Sequence, residues 1–367
     1  MTSFESNSSN TCEADGIQME ISEPNLIVLS IPDQTDTNTC LQIDIGITNK
    51  TPTLFPFVYE LLTPEFLSRD GQVLHPQKLM NTQITPSRYN GMGIPYQMTL
   101  GCYLIAKFSW QNSLLQVQAT ILHSSKPPIN PNYFWFFEAL QLGVYKLRFT
   151  YLSPQEEFLF FDAHTGEITP IQASVTSLLA TPWVNFQLVE PMGSNNNQVQ
   201  VNNVCFETVV PEQIWTISHS QLSDASSSVQ IGLRITNNTS TSQCFCSFTT
   251  LIPALMGADG CILGQNLGAG STGWVGARES DYHLVEPGKS VMFFVNAHFE
   301  RQMNGLLNLI VRGTGRGYWS FNGLKLGTYQ VRLTYRSLTN PLDIGSFEDF
   351  WRGMVHTPFV KFCLVQA

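Results

Sequence analysis

The chain has little charge and few basic residues. Of its 367 residues only 13% are charged, and 19 Lys and Arg face 28 Asp and Glu, which gives a net charge of −9. Phosphate backbones are bound by clustered Lys and Arg, so we expect no nucleic-acid partner.

The sequence also lacks long apolar runs and a leader-like N-terminus. No apolar run is longer than the five residues of the stretch 133–137, far below the ~18 residues of a membrane helix. The first residues carry neither a basic region nor an apolar stretch of the kind that secretory signals have. We therefore expect a cytoplasmic protein without membrane insertion, and a disordered tail over residues 1–13.

Recognisable metal and catalytic spacings are missing too. The eight cysteines include one close pair, Cys244 and Cys246, but no repeated Cys-x₂₋₄-Cys. We expect free buried thiols, with a redox pair or a metal at Cys244 and Cys246 as the alternative, and we assign no metal and no cofactor. The segment with Asp162, His164 and Glu167 is consistent with either a metal site or a tight turn around Gly166. No His-Glu-x-x-His or Gly-x-Ser-x-Gly motif occurs, and no catalytic residue can be assigned from spacing.

What the sequence does contain is an internal repeat. Residues 135–151 (WFFEALQLGVYKLRFTY) and 319–335 (WSFNGLKLGTYQVRLTY) are identical at 9 of 17 positions. Residues 41–51 match 229–239 at 6 of 11 positions, and 181–189 match 357–365 at 6 of 9. The order is the same in both halves, which indicates duplication of one complete domain. We expect domains at 14–190 and 204–367, joined by an Asn-rich linker at 191–203.

Both copies show the alternation of half-buried β-strands. Tyr329, Val331, Leu333 and Tyr335 alternate with polar residues, as do Tyr145, Leu147, Phe149 and Tyr151. Asp70-Gly71 and Asp259-Gly260 are typical of hairpin turns. With 43% apolar and 11% aromatic residues, the sequence predicts an all-β protein with packed cores.

Two segments resemble a known fold family. Leu140-Gln-Leu-Gly-Val-Tyr145 and Leu324-Lys-Leu-Gly-Thr-Tyr329 resemble the tyrosine corner of immunoglobulin and fibronectin type III domains, where the Tyr hydroxyl bonds back to the backbone. The Thr-Pro-x-Val-x-Phe segments resemble the closing strand of bacterial immunoglobulin-like domains. The resemblance implies two tandem immunoglobulin-like antiparallel β-sandwiches, with Tyr145 and Tyr329 as buried structural residues, and it implies no activity.

Differences between the copies suggest where binding occurs. Phe134 and Phe136 lie on the strand face opposite the predicted core residues Trp135 and Phe137, and form either an interaction surface or a patch covered by a loop. In the second copy Arg312 and Arg316 stand among glycines, which is typical either of a site that binds an anion or carboxylate or of a bulged strand start or loop.

The preferred function is a non-catalytic intracellular interaction or scaffold protein with a protein partner. The alternatives are a regulator resembling intracellular proteinase inhibitors with this fold, and a hydrolase or metal-dependent enzyme.

Overall fold

The computed structural model describes residues 11–22, 25–31, 39–57, 61–80, 92–94, 96–111, 114–123, 133–152, 158–161, 168–171, 178–192, 197–217, 227–248, 250–260, 262–269, 277–302, 305–313, 317–337 and 349–367. This part of the chain contains strands and a 3₁₀ turn at Glu279–Asp281, and no α-helix. The predicted all-β class is confirmed.

The chain divides into two units, and each is built from two segments. Unit 1 holds Met1–Asn25 and Thr39–Gln187, and unit 2 holds Leu26–Asn38 and Leu188–Ala367. Unit 2 therefore includes a short piece of the N-terminal sequence.

Unit 1 contains a seven-stranded antiparallel sheet. Its order is β1-β2-β4-β10-β11-β12-β8. The bounds are β1 (Thr11–Ala14), β2 (Ile17–Ile21), β4 (Thr39–Asn49), β8 (Gln77–Met80), β10 (Thr99–Gln111), β11 (Leu114–His123) and β12 (Tyr133–Leu140).

A second sheet in unit 1 has the order β17-β13-β6-β7, and β16 also pairs with β13. Its strands are β6 (Leu62–Ser68), β7 (Val73–Leu74), β13 (Gly143–Leu152), β16 (Leu178–Ala180) and β17 (Val184–Val189), the last of which ends in unit 2. Two further antiparallel pairs are β5 (Phe55–Phe57) with β9 (Met92–Ile94), and β14 (Phe158–Phe161) with β15 (Ile168–Ile171).

Unit 2 has a seven-stranded sheet of the order β18-β19-β21-β26-β27-β28-β24. The bounds are β18 (Gln198–Val201), β19 (Val204–Val209), β21 (Ser227–Asn237), β24 (Gln265–Ala269), β26 (Ser290–Arg301), β27 (Leu307–Arg312) and β28 (Gly317–Leu324).

The second sheet of unit 2 has the order β20-β31-β29-β30-β3, and β23 also pairs with β29. Its strands are β3 (Leu26–Ser30), β20 (Ile214–Ile217), β23 (Leu251–Met256), β29 (Gly327–Arg336), β30 (Met354–His356) and β31 (Val360–Gln366). A small antiparallel pair joins β22 (Gln243–Cys246) and β25 (Tyr282–Val285).

In each unit the two sheets share one apolar core. In unit 1 the ring of Phe66 on β6 lies 4.9 Å from that of Phe137 on β12. In unit 2 a single buried cluster joins Phe206 and Leu309 of the seven-stranded sheet to Leu333 and Phe362 of the second sheet. This arrangement is consistent with a β-sandwich, because alternating strands bury one face of each sheet.

The two seven-stranded sheets correspond strand by strand. In unit 1 the pairing of β11 with β12 shifts register between Leu115 and Val117, and in unit 2 that of β27 with β28 shifts between Leu307 and Leu309. Both sheets therefore carry a bulge at the same place. A bulge is a local feature of one strand pair, so its recurrence is specific evidence that the two sheets correspond.

The same asparagine-centred turn also ends β4 and β21. Nδ2 of Asn237 donates to the backbone oxygens of Thr241 and Val285, both at 2.8 Å. Its Oδ1 accepts from the backbone N–H of Thr239 at 3.0 Å and from the Thr239 hydroxyl at 2.7 Å. Asn237 is fully buried, and its side chain bonds four polar groups, of which the Val285 oxygen is bonded in a buried position.

Asn49 makes the equivalent contacts in unit 1. It donates to the backbone oxygens of Thr53 and Ile94, both at 2.7 Å, and accepts from the N–H and hydroxyl of Thr51. We define Asn49 and Asn237 with these bonds as the asparagine turns.

The segment 191–203, predicted as a linker, contains strand β18. Val199 and Val201 on this strand are buried in the unit 2 core, and Met192 forms a bridge with Gln198. The remaining domain limits stay predictions. Asp162, His164 and Glu167 lie outside the described residues.

Candidate binding surface

The outward side of the seven-stranded sheet in unit 2 carries two exposed aromatic residues. Strand β26 turns Phe293, Val295, Ala297 and Phe299 into the core, so the side chains between them point outward. Phe294 is one of these and is 46% exposed. On β28, Phe321 is buried whereas Tyr318 is 39% exposed.

Arg312 lies between these aromatic residues. It is the exposed last residue of β27, and the ladder places it opposite Asn296 on β26 and opposite Tyr318 on β28. Neighbouring strands are about 4.8 Å apart, so Asn296, Arg312 and Tyr318 form a row across three strands. We call these three residues, together with Phe294, the unit 2 outer face.

Two glycines let the aromatic rings lie against the sheet. A Cβ on Gly232 would stand 2.8 Å from Cε1 of Phe294, and one on Gly268 would overlap Cζ of Tyr318. Each ring therefore covers the backbone of a neighbouring strand, with β21 under Phe294 and β24 under Tyr318. A ring held in this way keeps an exposed face and loses little further side-chain freedom on binding.

The structure places the surface residues predicted from the sequence in different environments. Arg312 is exposed and belongs to the unit 2 outer face, whereas Arg316 lies outside the described residues. In unit 1, Phe136 is half-buried and pairs with Gln118 on β11 and Gln77 on β8. Phe134 is opposite Leu79 in the ladder, and its side chain lies outside the described part.

Phe294 was not among the sequence candidates, although a signal for it exists. The alternation in 291–299 assigns Phe293 and Phe294 to opposite faces, and the polar residues Asn296 and His298 share a face with Phe294. An aromatic residue on the polar face of an alternating strand is the pattern that identifies it.

Both tyrosine corners form backbone hydrogen bonds. The Tyr145 hydroxyl donates to the Gln141 oxygen at 2.8 Å and accepts from the Gln141 N–H at 3.1 Å. The Tyr329 hydroxyl makes the same two bonds with Lys325, at 2.9 and 3.0 Å. Tyr145 is buried, with 8% of its surface exposed, whereas Tyr329 is half-buried.

This difference predicts unequal effects of removing the hydroxyl groups. Tyr145→Phe should lower the free energy of unfolding by about 1–3 kcal/mol, because it leaves polar groups unpaired next to a buried ring. Tyr329→Phe should cost less, since water reaches the backbone groups that it leaves. Urea denaturation of both variants measures the two losses, and an equal or larger loss for Tyr329→Phe would contradict the proposed cause.

The buried cysteines are poorly suited to nucleophilic chemistry. Burial raises the pKa of Cys102 to about 12 and that of Cys246 to about 11. The thiolate is the reactive form of cysteine, so these two residues are held in the unreactive form. No group of three or more His, Cys, Asp or Glu side chains within the described ranges could hold a metal ion.

One buried histidine is kept neutral. His356 is 4% exposed, and its Nδ1 lies 2.9 Å from the Thr334 hydroxyl. Burial, and to a smaller extent the charge of Arg332, hold the pKa of His356 well below its usual range.

Among the residues that the structure describes, no helix has the length and apolar character needed to cross a membrane. A scan against protein-family models and a search of curated proteins found no match for this chain.

Proposed function

We propose that the protein is a non-catalytic intracellular interaction protein that binds a partner protein through the unit 2 outer face. Two tandem immunoglobulin-like β-sandwiches, derived from one duplicated domain, form its scaffold. The shared strand order, the matching bulges, the paired asparagine turns and the paired tyrosine corners support the duplication.

The observation that carries the proposed function is the exposed Arg312 between two exposed aromatic rings. Aromatic residues and Arg are enriched at the centres of protein interfaces and supply most of their hot spots. Because both rings are already fixed over glycines, binding costs little side-chain entropy, and each ring offers apolar area to a partner.

Site-specific photocrosslinking tests this proposal. A photoreactive phenylalanine analogue at position 294 or 318 should capture the same discrete partner protein in cells of the source organism. The analogue at the exposed Glu286, which lies outside the outer face, is the matched control and should not capture it.

Arg312→Ala should reduce capture from both positions without lowering the thermal midpoint, since Arg312 is exposed. Equal capture from position 286, or capture unaffected by Arg312→Ala, would refute the outer face as the binding surface. If the captured protein is a protease, the inhibitor-like alternative replaces the scaffold role.

A further inference from the structure

A strand from the N-terminal part of the chain completes unit 2. Strand β3 pairs in parallel with β30, so that Val28 lies opposite Val355 and Ile27 opposite Met354. Val28 and Val355 are both fully buried in the unit 2 core. The edge of β30 is thus covered by an apolar strand running in the same direction.

Strand β16 is the counterpart of β30 in unit 1. Leu179 of β16 pairs with Tyr151, as Val355 of β30 pairs with Tyr335, and a Thr-Pro dipeptide follows each strand. Among the described strands β16 pairs only with β13. The hairpin of β1 and β2 approaches β16, but β1 pairs with β2 alone in this part of the chain.

Strand β20 is the counterpart of β3. Both strands precede the long strand that ends in an asparagine turn, and the repeat aligns Val189 with Val365. Ile31 donates to the oxygen of Val189, and the ladder places Thr216, the residue before Ile217, opposite Val365. Ile31 and Ile217 are therefore equivalent. Val28 and Ile214, which each lie three residues earlier, occupy matching positions.

The burial of these matching residues differs sharply. Val28 is fully buried, whereas Ile214 is 64% exposed. Leu178 on β16 is 56% exposed, whereas its counterpart Met354 on β30 is buried. One buried residue on each strand of the β3–β30 pair, Val28 on β3 and Met354 on β30, thus has an exposed apolar counterpart on β20 or β16.

Neither counterpart strand carries the charged residue or the proline that protects many sheet edges. The sequences Leu-Leu-Ala of β16 and Ile-Trp-Thr-Ile of β20 contain no charge and no proline. Natural proteins commonly place Lys or Pro on edge strands to prevent pairing with other chains. In the described part of the chain, β20 pairs with β31 alone.

We propose that β20 of one molecule pairs in parallel with β16 of a second copy, in the way that β3 pairs with β30. The two edges are different surfaces, so the contact is head to tail and each added molecule presents a new β20 or β16 edge. Backbone hydrogen bonds supply the association, and burial of Ile214 and Leu178 adds apolar contact. This self-assembly uses strand edges and goes beyond the binding proposed for the unit 2 outer face.

Sedimentation velocity of the full chain tests the proposal. The mean mass of the wild type should rise with concentration and pass that of a dimer. Ile214→Lys and Leu178→Lys should each weaken self-association at least about tenfold, because each buries a charge in the new contact. Phe294→Lys, a matched exposed apolar position on the outer face, should assemble like the wild type.

Mixing the two edge variants gives the sharper result. Ile214→Lys keeps an intact β16 and Leu178→Lys keeps an intact β20, so the mixture should form complexes of two chains and no larger species. The carbonyl of Gln213 accepts a bond from Cys363 on β31, and that of Ile217 accepts one from Ala367 just after β31. Alternation therefore turns the Thr216 N–H to the opposite edge. Thr216→Pro removes that N–H, and it replaces Ile214→Lys if the latter fails to fold.

A wild type that remains monomeric at the highest concentration would overturn the proposal. The proposal would also be overturned if the mixture of the two edge variants stayed monomeric. It would be overturned as well if the wild type formed a closed dimer that persisted in either edge variant. The partner captured through the unit 2 outer face should be unaffected by Ile214→Lys, so failure of self-assembly and failure of the proposed function give different results.

Discussion

Asn237→Ala should lower the free energy of unfolding by about 3–5 kcal/mol, the upper range for single substitutions. The change leaves the backbone oxygens of Thr241 and Val285 and the N–H of Thr239 without the side chain that bonds them. No water reaches position 237 in the folded protein. The buried carbonyl of Val285 on β25 therefore loses its bond from the Asn237 amide, and no water replaces that bond.

Asn238→Ala is the matched control for this prediction. Asn238 is the exposed neighbour in the same turn, and its replacement should change stability by at most about 0.5 kcal/mol. Urea denaturation measures both variants, with Asn49→Ala as the equivalent test in unit 1. A loss below about 1 kcal/mol for Asn237→Ala would mean that the turn forms without its asparagine.

The second large effect is a loss of folding stability at acidic pH, which arises from the buried side chain of His356. Burial lowers the pKa of His356 in the folded protein, whereas the unfolded chain binds this proton near pH 6.5. Below that pH the unfolded state holds one more proton than the folded state. Stability should therefore fall as pH falls, at up to about 1.4 kcal/mol per pH unit from this group alone.

His356→Gln isolates this contribution. Glutamine keeps polar atoms near the Thr334 hydroxyl but does not titrate, so the carboxylates and other histidines still titrate in both proteins. Between pH 7 and pH 4.5 the unfolding free energy should decline more steeply with falling pH for the wild type than for the variant. The difference in slope should correspond to about one additional proton bound by the unfolded wild type. Parallel curves for the two proteins would show that His356 takes up its proton without unfolding the chain.

Local alternation predicted some of the strands but not the distant strands with which they pair. The pattern around Tyr145 and Tyr329 predicted two long strands, β13 and β29, because a half-buried strand leaves its period of two in the sequence. Strand β3 is a run of apolar residues buried on both faces, and such a run carries no information on which sheet it joins. Its pairing with β30 depends on contacts between residues more than 300 positions apart.

The candidate surface was only partly accessible from the sequence for the same reason. Arg312 was identified by its chemistry, but its position beside Tyr318 depends on the register of β27 against β28, which local sequence does not fix. The asparagine turns did carry a local signal, since Thr-Asn-x-Thr occurs at the end of both long strands. What the sequence could not indicate is that the same side chain also bonds a distant strand, at Ile94 or at Val285.

The asparagine turns also have a consequence for producing the protein in a eukaryotic secretory pathway. Asn49-Lys-Thr51 and Asn237-Asn-Thr239 both match the acceptor sequence for N-linked glycans. A glycan is attached through Nδ2, and in the folded protein both hydrogens of that atom are used in bonds to backbone oxygens. Modification at either position can therefore occur only before the turn forms, and an attached glycan prevents the turn from closing. Secretory expression would consequently divide the chains into folded molecules without glycans at these positions and glycosylated molecules that fail to fold.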